Sequence, residues 1–200
     1  MVNTVFVRTY CAPDYNKKEI LRYAGVSGDA PELNALLQEC LDEMAGKLVY
    51  RACYREFAVT HYDSYLDLGF IKTESVGLKK NLYGCESIVL FAATVGMEID
   101  RLIARYATVS PTKALLFQAI GAERIESLCE AFCCEVAEEK AKIGFKTRPR
   151  FSAGYGDFPL EVQKEIFAVL DCPRKIGLTL NQSLLMSPSK SVTAIIGVGK

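Results

Sequence analysis

The sequence predicts an α+β fold, a twisted and mostly antiparallel central sheet with flanking helices. Three observations predict it. Helix-periodic and β-prone segments are mixed without the strict alternation of a parallel βαβ architecture. The runs "SIVLFAATVG" at 87–96 and "VTAIIGV" at 192–198 are apolar and suit buried strands. Ser110-Pro111 opens an apolar stripe carried to about Ile143, one long helix over about 111–143 and roughly 50 Å in length. A chain of 200 residues can bury one core, so a single domain over 1–200 is expected.

The elements follow in order. Residues 1–28 read as irregular, with a short strand at 4–9 and a short helix at 17–23. A helix begins near Asp29, because Asp29 or Ala30 precedes Pro31, which suits the first helical position. Leu33, Leu36, Leu37, Cys40, Leu41, Met44 and Leu48 then recur at helical spacing. The stretch 49–61 is β-prone, and 66–71 is its candidate partner. A short helix over 76–83 stops at Gly84, a natural C-terminal cap. After the 87–96 strand come a helix over 98–107 and the long helix. The long helix carries Leu115, Leu116, Ala119, Ile120, Ile125, Leu128, Phe132 and Val136. Pro159 opens another helix, with Val162, Ile166, Phe167 and Leu170 inward. Strands at 176–180 and 192–198 close the series.

Composition excludes several classes. Twenty-four basic residues balance 24 acidic ones, which argues against nucleic-acid binding by bulk electrostatics. No apolar run reaches the ~20 residues of a membrane span, and no signal-peptide pattern precedes the first strand. The expectation is a cytoplasmic protein without nucleic-acid or membrane partners. Its eight cysteines are then reduced thiols that pack as small hydrophobes. None forms a C-x-x-C pair, and with one histidine a zinc site is poorly supplied.

Generic catalytic motifs are weak. "SPSK" at 187–190 precedes a strand rather than a helix, and "GVGK" has no helix after it to receive phosphate. His61 sits in a strand-like segment with no nucleophile beside it. Acid–base hydrolysis therefore has little support.

The informative stretch is "RFSAGYGDFP" at 150–159. Arg150, Gly154 and Tyr155 read R-x-x-x-G-Y. They are followed by Pro159, "QKEIFAVLD" (163–171), "KIGLTLNQSLLMSPSKSV" (175–192) and an apolar strand. This ordered series resembles the activation domain of cobalamin-dependent methionine synthase, in its free-standing form. The likeness is strongest over 130–198, and "LFAATVG" (90–96) is similar to that family's central strand.

The resemblance implies an S-adenosylmethionine site built largely from loop backbone, with Arg150, Ala153, Gly154 and Tyr155 as its residues. "CEAF" (129–132) resembles the family's helix segment whose glutamate lies near the ligand's positive charge, which adds Glu130; a solvated helix face is the plain alternative for it. The family's ligand-gripping aspartate has no equivalent, since neither Asp14 nor Asp29 lies in an aromatic-rich segment of its kind. Asn181-Gln182 replaces the usual threonine-glutamate, and the chain stops at Lys200 before the family's later ligand-contacting tyrosine. The implied function is a reactivation subunit. Cobalamin would be carried by a partner, a cobalamin-binding methionine synthase subunit, and a flavodoxin-like or other low-potential donor would supply one electron. Two alternatives stay open: a scaffold or regulatory module that does not use the ligand, and an activator of a different corrinoid methyltransferase. A thiol enzyme built on Cys129, Cys133 and Cys134 is more distant.

Overall fold

The structure is a computed structural model that describes residues 4–26 and 31–200. The expected cap at Asp29 or Ala30 lies outside the described residues. The first half of the chain forms β1 (Phe6–Tyr10), α1 (Lys17–Tyr23), α2 (Pro31–Met44), β2 (Tyr50–Ala58), β3 (Thr60–His61), β4 (Leu66–Asp67), β5 (Lys72–Thr73), α3 (Val76–Asn81) and β6 (Cys85–Thr94). The second half forms α4 (Glu98–Val109), α5 (Pro111–Ala141), β7 (Lys146–Thr147), a 3-10 turn (Leu160–Val162), α6 (Gln163–Leu170), α7 (Cys172–Ile176), β8 (Thr179–Leu180), β9 (Met186–Ser187) and β10 (Ser191–Gly199).

The main sheet has five strands in the order β1-β2-β6-β10-β7, and every pairing is antiparallel. The expected α+β class is therefore the observed one, and β6 is the middle strand. Its run is continuously apolar because both faces are covered. Val89, Phe91 and Ala93 face one core with α1, α2, α4 and α5. Ile88, Leu90 and Ala92 face a second core with α3, α6 and α7. Alternate side chains of a strand point to opposite faces, so a three-layer arrangement needs such a run.

α5 is 31 residues long, about 46 Å at 1.5 Å per residue. Seven of its eight stripe residues are buried, and Phe132 packs on Phe91 of β6 with ring centroids 4.6 Å apart. Leu115 is the exception, at 50% exposed. Consecutive helical residues lie about 100° apart, and Leu116 takes the inward position.

Three local expectations are narrowed or corrected. The 66–71 stretch pairs with the 49–61 stretch only at its end: β4 pairs with β3 (Thr60–His61) and with β5 in a separate small sheet, and not with β2. Residues 176–180 are not one strand, because Ile176 ends α7 and only Thr179–Leu180 is extended. Pro173 in the first turn and the left-handed Gly177 cap are the local reason for that helix. Leu48 lies beyond the end of α2, which stops at Met44.

Cys40, Cys53, Cys85, Cys129 and Cys172 are buried free thiols, Cys133 is half-buried, and Cys11 and Cys134 are exposed. Among the described residues no cluster could hold a metal ion, and no helix is long and apolar enough to cross a membrane.

Candidate functional site

The 150–159 loop leaves the edge of the main sheet beside β10. Phe151 exchanges both backbone hydrogen bonds with Ile195, at 2.9 and 2.8 Å, and the Arg148 amide donates to the Gly197 carbonyl. This short ladder fixes where the loop starts. Beyond it the chain turns on itself. The Gly154 amide donates to Phe158 O (2.8 Å), Phe158 N to Tyr155 O (3.1 Å) and Tyr155 N to Ser152 O (3.2 Å). Gly154 has φ +86°, and a Cβ there would lie 3.0 Å from Leu160 Cδ1. Only glycine adopts that backbone readily. Phe158 is buried beneath the turn, while Tyr155 stands 70% exposed, edge-on to Phe151.

Across from the loop lies the middle of α5. Arg150 donates from Nη2 to Glu126. Its Nη1 is buried and has no hydrogen-bond partner among the described residues. Burial works against the Arg150 charge, but the Cys129 sulfur and the Glu126 carboxylate outweigh it, so its pKa lies above the usual guanidinium value. Glu130, one turn beyond Glu126, is exposed and accepts a weak bond from Cys134 Sγ at 3.6 Å.

Three clefts meet here. One of about 290 Å³ lies among Glu126, Arg150, Phe151 and Tyr155. Another of about 560 Å³ lies among Glu130, Cys133, Cys134, Arg148 and Arg150. A third of about 260 Å³ runs between Glu126, Glu130 and Tyr23 of α1. Arg150, Glu126 and Glu130 are each shared by two of the three. The cleft of about 560 Å³ falls in the volume range of small-molecule sites.

Arg150 thus shares one cleft with Tyr155 and another with Glu130, while Tyr155 and Glu130 line no common cleft. Ala153 is buried, and neither it nor Gly154 lines these clefts. Two of the loop amides expected to meet a ligand, those of Gly154 and Tyr155, are spent within the turn. Glu126 was missed in the sequence. It shares a helical face with Glu130, and only the tertiary fold shows which carboxylate meets an arginine 24 residues later. Asp157 was missed as well; it reaches out of the loop to the start of α3.

The α5 glutamates do not form one solvated face. Glu123 is 2% exposed and pairs with the fully buried Arg124 through 2.5 and 2.6 Å contacts. Arg124 also donates to Pro13 O and Asp14 O and lies 4.2 Å from the Tyr15 ring centroid. Burial pulls against its charge, yet the Glu123 bonds hold its pKa above the usual value. This knot ties the irregular 11–16 segment to α5. His61 points at the Cys85 carbonyl at 2.8 Å, a structural contact.

The domain is three-layered, with open clefts between its 150–159 loop and its long helix, and a solved structure of that shape is known. The crystal structure of the MetH reactivation domain bound to AdoHcy superposes with a TM-score of 0.70 at 18% identity, covering 97% of this chain and 78% of that one. The chain has the fold of that reactivation domain, the methionine synthase activation-domain architecture expected from the resemblance. No family model matches the sequence, and no curated protein does.

Proposed function

We propose that this chain binds S-adenosylmethionine at the Arg150–Glu126–Glu130 clefts and serves as a reactivation subunit for a cobalamin-dependent methionine synthase in the cytoplasm. The observation that carries this reading is the shared architecture with an AdoHcy-bound reactivation domain over 97% of the chain. The residues present suit the ligand. The unpartnered Arg150 Nη1 is a buried donor for the amino-acid carboxylate. Glu126 and Glu130 place negative charge where a sulfonium or ammonium would be stabilised. The exposed face of Tyr155 offers a further cation contact.

When bound, the ligand would supply an electrophilic methyl group, its sulfur leaving as a neutral thioether, to a partner-borne corrinoid that a low-potential donor would have reduced by one electron. This chain has to hold the donor in line and keep water away, a proximity effect. It must also avoid being methylated itself. Burial pushes the Cys133 thiol up to about 11 and Cys129 up to about 12. Both stay protonated at neutral pH and are poor nucleophiles.

Isothermal titration with S-adenosylmethionine tests the site. Heat is expected for the chain alone or with a cobalamin-loaded partner, and none in either case sinks the reading. Faster reactivation of a purified cob(II)-loaded methionine synthase when this chain is added tests the function.

A second reading is a docking or regulatory module that does not use the ligand. The internal use of the Gly154 and Tyr155 amides and the Arg150–Glu126 pair favour it. Gly154→Val separates the two: reactivation lost with partner binding intact supports the methyl-donor role.

A further inference from the structure

The 148–157 segment is held on two sides by one short element. Asp157, at the far arm of the loop, accepts from Ser75 Oγ (2.6 Å), the Val76 amide (2.6 Å) and the Gly77 amide (3.1 Å). Ser75 is itself the N-cap of α3, accepting from Leu78 N at 3.1 Å while its hydroxyl donates to Asp157. At the near arm, Asn81 Nδ2 at the other end of α3 donates to Pro149 O at 3.0 Å. Just beyond, Arg148 Nη2 donates to Tyr83 O at 3.1 Å. The contact is close. A Cβ on Gly77 would lie 2.9 Å from Asp157 Oδ1 and 3.3 Å from the Phe151 ring. Between the two arms sit Arg150 and Tyr155, the residues that face the clefts.

We propose that α3 is the positioning element of the ligand loop, acting through Asp157 on one arm and Asn81 on the other. Neither residue lines the three clefts. Each acts through Arg150 and Tyr155 by fixing the backbone that carries them. The ligand part of this inference rests on the proposed function above, whereas the positioning part stands by itself.

The test uses the full chain carrying Asp157→Ala, Asp157→Asn or Asn81→Ala, with S-adenosylmethionine as the probe. Amide hydrogen exchange is read first. In Asp157→Ala the Gly154 and Phe158 amides should exchange about tenfold faster or more, with the β6 amides unchanged. Asp157→Asn keeps one acceptor oxygen and should recover part of the protection. Asn81→Ala should loosen the near arm at Phe151. Affinity for S-adenosylmethionine should then fall about tenfold in Asp157→Ala well below its melting temperature, a loss that overall destabilisation alone would not cause. Unchanged exchange at Gly154 and Phe158, or faster exchange with unchanged affinity, overturns the proposal. If Asp157→Ala does not fold, Ser75→Ala removes a single donor and the same amides are read on it. A wild-type chain that binds no S-adenosylmethionine defeats the proposed function, while the exchange result still decides the role of α3.

Discussion

Gly154 bears the strictest backbone demand in the loop. Its φ of +86° strains any branched side chain, and a Cβ would also crowd Leu160 Cδ1 at 3.0 Å. Gly154→Val should abolish S-adenosylmethionine binding by titration while far-UV circular dichroism stays native. Asp157 sets an acid limit on the same loop. The Ser75 hydroxyl first, and then the Val76 and Gly77 amides, hold its carboxyl below the usual carboxylate range. A carboxyl depressed in the folded state contributes stability above its unfolded value, near pH 4, and loses it as the pH falls through the lower folded value. Gly154 amide protection, corrected for intrinsic rate, should therefore be flat from pH 7 to 5 and decline below about 4. The thiols divide by burial. Iodoacetamide at pH 8 should label Cys11 and Cys134 in the native protein and spare Cys53 and Cys172, read by peptide mass spectrometry. At this scale the turn at Gly154 was legible, because a glycine in a short aromatic segment marks a backbone that other residues adopt poorly. Glu126 and Asp157 were not, since an acidic residue on a helix or in a turn looks solvated until its partner in the fold is known.

α5 shows what periodicity reveals and what it hides. Its extent and most of its buried stripe follow from 3.6-residue spacing. The buried Glu123–Arg124 pair does not, because adjacent charges read as surface and their partners lie about 110 residues upstream. Arg124→Met strands Glu123 in the core and frees the 11–16 segment. Removing one member of a buried pair costs about 3–5 kcal/mol, so a clear fall in melting temperature is expected by differential scanning calorimetry. No change would mean that the pair is solvated. α7 was hidden for the opposite reason. Its five residues are too few for a periodic pattern, so its local marks are Pro173 in its first turn and Gly177 just past its end.

At the scale of the molecule, the sheet order could not be read from spacing. β6 was identifiable as a buried strand, but its neighbours β2 and β10 come from distant parts of the chain. Which strands meet depends on the covering of both faces, a property no single segment carries. Ligand binding should act on the whole unit, since the loop, α5 and β10 share its cores. At a ligand concentration 100 times Kd the native state gains about 2.7 kcal/mol, a melting shift of several degrees by differential scanning fluorimetry. An unshifted melt at that concentration argues for the docking-module reading.

β10 is paired along its length with β6 and anchors Phe151 of the loop through Ile195. Ribosomal synthesis runs from the amino terminus, so Ser191–Gly199 emerges after every other described element. Until it does, β6 has a bare edge and the cradle has no wall to lean on. A product truncated before Ser191 would thus lack the pairing that holds Phe151, and with it the fixed start of the proposed ligand loop.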